Sequence, residues 1–325
     1  WLDVLEAGEQ KFALTFDPGA VWSGRVMGCP ARVPPTLRRP KFLAIVSSST
    51  LARALLKKAP GGIDGFVVEA PIAGGHNAPP RGVQQLSVRG EPVYGERDVV
   101  DMTQMVALGT PFWMAGGCAS REGFESAIAG GARGIQVGTA FAFCDESGLE
   151  PGLRRGFLAR ILRGEADVFT DPLASPTNFP FKLASMEDSL SEHRVYEDRP
   201  RLCDLGYLRR ARRKPDGTLE YRCPAEPVED YVAKGGALED TVGRKCLCNA
   251  LVANLGLSQR RPDEYVEPPL LTAGNDLDCI RPYITPEKLS YHARDVIEAL
   301  LPPEYRIVVC PSAAGAPAAA TIASA

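Results

Sequence analysis

The chain has 325 residues, 45% of them apolar and 24% charged, with a formal net charge of −3. This is the composition of a globular protein large enough for a sizeable core and two units. It excludes bulk electrostatic attraction to nucleic acid, and no apolar run approaches the roughly 20 residues of a membrane span.

Nine cysteines, an odd count spread along the chain, do not make the dense framework of a small secreted domain. No signal peptide is visible at Trp1 to Gly8. The expectation is a reducing, cytoplasmic compartment, with no nucleic-acid or membrane partner and an open question of oligomeric state. Trp1, Leu2, Val4 and Leu5 are closely set, as inside a helix, which suggests that an N-terminal part lies upstream.

Alternating strands and helices follow. Phe12 to Phe16 is a short β-rich run closed by the turn signal Asp17-Pro18-Gly19. Phe42 to Val46 is a second strand, and Ser47 to Ser49 cap a helix running from Thr50 to Lys58 that stops at Pro60-Gly61-Gly62. Gly65 to Glu69 is a third strand, leading into a glycine-rich loop. Asp98 is read as the cap of a helix through Leu108, ended by Gly109. Phe112 to Ala115 is a fourth strand, followed by Gly116-Gly117. Ser120 opens a helix with Glu122 and Glu125 near its start, ending at Gly130-Gly131, and Gly134 to Val137 is a fifth strand.

A strand about every 25 residues, joined through helices, is the pattern of parallel βαβ units. A doubly wound sheet and a (β/α)₈ barrel both fit. In the last three strands the glycines follow the C-terminal end, where barrel enzymes build their sites. The fold class expected is therefore α/β, a TIM-type barrel represented by its C-terminal five βα units, with roughly three strands upstream of Trp1.

From about 150 the texture changes. Leu153 to Gly164 reads as an amphipathic helix, and Ser175 to Lys182 is a proline-rich stretch. Residues 200–300 carry prolines, five cysteines and short helical segments. The tail is almost only Ala, Ser, Gly and Pro from Ala313. The expected division is a barrel part over 1–165, a mostly helical or irregular region over 166–305 packed on the barrel, and a disordered tail over 306–325.

Three motifs carry chemistry. Ala73-Gly74-Gly75-His76-Asn77 follows the third strand directly. A lone histidine is commonly structural; one after a double glycine at the mouth of a buried strand suits a general base or polar anchor near neutral pH. Ala115-Gly116-Gly117 ends the fourth strand, and Gln136-Val137-Gly138-Thr139 closes the fifth. Glycine-rich turns with a nearby hydroxyl present N–H and O–H donors to a phosphate. Barrels frequently bind phosphate after their last two strands.

In this order and spacing the three motifs resemble the nitronate monooxygenase family, whose relatives include FMN-dependent enoyl-ACP reductases. Ser175 to Lys182 and Cys203 to Leu208 resemble a long-C-terminus branch of it. The resemblance covers about residues 1–300. It implies a TIM-type barrel, FMN held non-covalently, and oxidation of a nitronate by O₂. It implies flavin contacts from Gly74, Gly117, Gln136, Val137, Gly138 and Thr139, with Glu69, Gly75 and Gly116 beside them, and His76 as the catalytic residue that abstracts or holds the substrate's acidic proton. Ile72 stands where the family often has Glu, and Glu69 where it commonly has Gln; an anionic Glu69 would disfavour a reduced, anionic flavin. An enoyl thioester reductase using NAD(P)H and a non-catalytic accessory barrel are the alternatives. If the wall made by the first three strands is absent, the polypeptide is expected to bind FMN poorly.

Three further features have two readings each. Arg81 either binds an anionic substrate or is structural. Cys203, Cys223, Cys246 and Cys248 are enough for a zinc or iron–sulfur site, but they lack the usual paired spacing and suit buried free thiols better; no metal is expected. The cluster Arg209, Arg210, Arg212, Arg213 and Lys214 reads as a solvated turn face.

Overall fold

The computed structural model describes residues 40–59, 62–262, 264–302, 305–309 and 320–324. The expected strand Phe12 to Phe16 lies outside them. Four strands, β1 (Leu43–Val46), β2 (Gly65–Glu69), β3 (Phe112–Ala115) and β4 (Gly134–Gln136), form a parallel sheet in sequence order. Its register aligns Val46 with Val68, Val68 with Met114, and Ala115 with Gln136. Among the described residues the sheet is open, with β1 and β4 at its edges. The fold is thus α/β with a parallel sheet, and no closed barrel is present among those residues.

The helices between the strands start where short polar side chains meet unpaired N–H groups. Ser48 Oγ accepts from Leu51 N at 3.0 Å and caps α1 (Ser49–Lys58). Ser120 caps α3 (Arg121–Ala129) in the same way through Gly123 N. The helix between them, α2 (Met102–Val106), is shorter than expected and capped by Asp101 rather than Asp98. The physical reason is competition: the Asp98 carboxylate already accepts from the backbone of Gly95 and Arg81, both at 2.9 Å. These helices cover the sheet through a core that includes Val46, Phe66, Val68, Met105 and Phe112.

After β4 come α4 (Thr139–Ala142) and α5 (Pro151–Arg163), the latter ended by Gly164 in the left-handed region. The region beyond is not simply helical or irregular. It contains two antiparallel pairs, β5 (Val168–Asp171) with β6 (Phe181–Ala184), and β7 (Arg210–Arg213) with β8 (Leu219–Arg222). The sequence concealed them because the strands are only four residues long, so that even the alternation in Phe181-Lys182-Leu183 and Leu219-Glu220-Tyr221-Arg222 is too short to stand out. All of β6 is buried, including Lys182, whereas β7 is largely exposed arginine. The basic cluster is therefore mostly solvent-facing but lies on a hairpin, not a turn. The described ends of the tail, β9 (Tyr305–Val309) and β10 (Ala320–Ser324), pair antiparallel where disorder was expected; Ile307, Val308, Val309 and Ile322 are strand-forming residues.

One core joins the two parts of the chain. Phe143, Phe157, Leu158 and Ile161 from α5 and its approach pack with Leu271, Ala273, Ile280 and Tyr291. β6 also reaches back to the sheet: Lys182 N donates to Gly75 O and Asn77 N to Pro180 O, each at 2.9 Å. Both contacts bring the later chain to the C-terminal mouths of the strands. Among the described residues no helix is long and apolar enough to cross a membrane.

Candidate functional site

Three successive strand ends open on one cavity of about 300 Å³, a size at the lower end for small-molecule sites. β2 delivers Glu69 and the turn Ile72 to Gly75; β3 delivers Ala115 to Ala119; β4 delivers Gln136 to Thr139. Every one of Glu69, Gly74, Gly75, Gly116, Gly117, Gln136, Val137, Gly138 and Thr139 lines it.

The glycines are there for geometry. Gly116 has φ +85°, and a Cβ on it would stand 2.9 Å from Ala73 N and 3.0 Å from Ala73 Cβ. Only a residue without Cβ allows the turns after β2 and β3 to touch. Gly138 is different: a Cβ there meets nothing within 4 Å, so the space beside it belongs to the cavity. Gly116→Ala is expected to cost about 2–5 kcal/mol, from left-handed strain and overpacking. Gly138→Ala is expected to stay within about 0.5 kcal/mol of the parent while narrowing the cavity. Urea denaturation of both variants checks this, and equal midpoints would refute it.

Charge at the mouth of β2 is tuned by burial. Burial pushes the Glu69 carboxyl above the usual range, opposed by a hydrogen bond from Asn77 and the nearby Lys182 ammonium. Lys182 is itself 1% exposed. Burial pulls its pKa down to about 8, against the pull of Glu91 and Glu69, and its Nζ donates to Thr170 Oγ1 at 2.8 Å.

His76 does not line the cavity; it follows the lining residue Gly75. Its Nε2 lies 2.6 Å from Ser175 Oγ, its ring packs edge-on to Phe181 at 4.8 Å between centroids, and Ser175 Oγ lies 2.8 Å from Thr177 Oγ1. Burial lowers its pKa below the ordinary value. Arg81 donates to Ser47 O at 2.9 Å and, with Glu69 and Tyr94, lines a second, water-sized pocket.

Hydrogen bonds place the four clustered cysteines near one another: Arg201 reaches Pro224 O, beside Cys223, and Asn249, beside Cys248, reaches Asp204. Burial pushes the Cys223 thiol up to about 11 and the Cys246 thiol up to about 12. Among the described residues no three His, Cys, Asp or Glu side chains are arranged to hold a metal ion.

The sequence reading missed part of the cavity wall. Thr272, Ala273, Gly274, Asp276 and Cys279 line it from the later region, and Cys118 lines it from the turn after β3. The signal was present in kind: Leu270-Leu271 followed by Thr272-Ala273-Gly274 is an apolar pair running into small residues, the same texture as the strand-end turns.

Residues 30–160 match the family model described as nitronate monooxygenase. Among curated proteins, the "Probable nitronate monooxygenase" of Bacillus subtilis (strain 168) is 36% identical over 107 residues, 33% of this chain and 29% of that protein. The chain thus spans under a third of that relative. Among solved structures, "Structure of FabK from Thermotoga maritima" aligns with 17% identity and a TM-score of 0.41, over 81% of this chain and 60% of that one. A nitroalkane oxidase from Streptomyces ansochromogenes aligns with 24% identity and a TM-score of 0.33, over 45% of this chain and 38% of that one. Residues 30–160 are thus similar to the nitronate monooxygenase family, and that segment contains the three strand-end motifs.

Proposed function

We propose that this chain carries the FMN site of a TIM-barrel oxidoreductase that oxidises alkyl nitronates with O₂. The observation that carries the reading is the closure of all nine expected cofactor residues around one cavity. The lining suits a phosphorylated flavin. Space stands open beside Gly138, and the Thr139 and Thr272 hydroxyls and glycine-rich turns supply neutral donors. No Lys or Arg is among the lining residues, so neutral donors hold the anion.

FMN, when bound, supplies the redox chemistry. The protein positions and shields it, and handles protons. Glu69, which lines the cavity, would offer the flavin a hydrogen-bonding side chain. His76 keeps Nε2 on Ser175, which leaves Nδ1 as the nitrogen able to take or hold the substrate's acidic proton.

The test is the visible spectrum of the purified protein. Flavin absorbance, with FMN released on denaturation, and O₂ uptake with alkyl nitronates are the expected results. FMN with NAD(P)H-dependent enoyl thioester reduction and no nitronate turnover would replace the substrate. No flavin, even with FMN supplied, would leave an accessory barrel in front.

A further inference from the structure

The later region does more than pack beside the cavity: it is interlocked with it. Gly75 N donates to Thr272 Oγ1 at 3.0 Å, and Gly274 N donates to Thr139 Oγ1 at 2.9 Å. Asn275 N donates to Ile72 O at 3.0 Å. The backbones touch so closely that a Cβ on Gly74 would stand 2.9 Å from both Ala273 C and Gly274 N.

These bonds decide what the two hydroxyls can do. A threonine hydroxyl has one proton to donate and two lone pairs to accept with. In Thr139 and in Thr272 a backbone N–H already occupies a lone pair. Among the described residues neither hydroxyl proton has an acceptor, and both residues line the cavity. The cavity therefore presents two oriented O–H donors, one from the end of β4 and one from a segment more than 130 residues later. Asp276, also in the lining, adds a carboxylate that accepts from hydroxyls. Two donors with one such acceptor fit a phosphomonoester whose chain carries hydroxyl groups.

We infer that Thr272 is a second phosphate-binding hydroxyl of this cavity, working with Thr139, whose hydroxyl Gly274 N–H orients. This rests on the flavin reading above and extends its site into the C-terminal region.

The test compares Thr272→Val and Thr272→Ser with the parent by quenching of flavin fluorescence with FMN and with riboflavin. Valine is expected to weaken FMN by about 10- to 100-fold, the size of a hydrogen bond to a charged group. Riboflavin, which lacks the phosphate, is expected to bind the valine variant as it binds the parent, and serine is expected to retain FMN. Equal losses of FMN and riboflavin would make Thr272 a scaffold residue and overturn the inference, as would unchanged FMN affinity. A parent that binds neither flavin removes the flavin reading itself; a parent that binds FMN beside an unaffected valine variant removes only this inference.

Discussion

Replacing His76 by Gln is expected to lower turnover by about 10²- to 10⁴-fold, the usual contribution of a positioned general base, while FMN affinity stays unchanged. Three histidines occur in the chain. His193 and His292 face solvent, 81% and 61% exposed, paired with Glu197 and Glu146. Only His76 stands at a strand mouth, held on one nitrogen by Ser175. Its burial disfavours the imidazolium, so its pKa lies below the ordinary value near 6.5. The sign follows: a base must be neutral to act, so activity is flat through neutrality and falls as pH drops through that lowered pKa. A kcat profile against pH, measured on the parent and the variant, checks both points. A variant that loses stability but keeps kcat would make His76 a packing residue. A parent profile still rising above pH 7 would assign the proton to another group.

Much of the sheet was readable because its strands are plain in composition. β2 and β3 have the expected bounds, since each is an apolar run closed by a residue change at both ends. β1 begins one residue late because Phe42 is withdrawn from the ladder: its N–H donates to Asp64 Oδ2 at 2.7 Å, and its carbonyl accepts from Asp64 N. β4 stops at Gln136 because Val137 turns to pack on the core shared with the later region. That the strand-end glycines Gly74, Gly75, Gly116, Gly117 and Gly138 share one cavity was legible for a different reason: they follow successive buried strands at the same edge of a parallel sheet, whereas the cofactor contacts of Glu69, Gln136, Val137 and Thr139 were expected only from the family resemblance.

What the sequence hid was long-range pairing. Nothing local to Lys182 announces that it is buried beside Glu69, or that its strand returns to Gly75. Nothing local to Thr272 announces that it meets a turn 197 residues earlier. Both depend on the path of the chain through 166–305, where strands of four residues carry too little pattern to be seen one at a time.

That path is held in part by a buried ion pair, and breaking it should have a large effect on stability. Arg199 Nε and Nη2 meet Glu267 Oε1 and Oε2 at 2.6 and 3.0 Å, with side chains 4% and 0% exposed, and Tyr265 O–H donates to Glu267 Oε2 at 3.0 Å. A bidentate pair of this kind satisfies both charges only together. Glu267→Ala leaves the Arg199 guanidinium buried without its counter-ion, at an expected cost of about 3–5 kcal/mol in urea denaturation. Replacing both partners by apolar residues of similar volume, as in Arg199→Met with Glu267→Leu, is expected to recover most of that loss, because neither charge then needs a partner. The consequence reaches the cavity. Just after Glu267, Pro269 O accepts from Leu190 N, Leu270 N donates to Ala250 O, and Leu270 O accepts from Asn254 Nδ2. These bonds hold the chain immediately before Thr272. Loss of the pair therefore loosens the segment that supplies Thr272 and Gly274, and Glu267→Ala should weaken FMN as well as the fold, while the apolar double variant restores both. A single variant within about 1 kcal/mol of the parent would mean that water already reaches the pair. A double variant as stable as the parent but still weak for FMN would mean that the charges act on the ligand directly and not through the segment they hold.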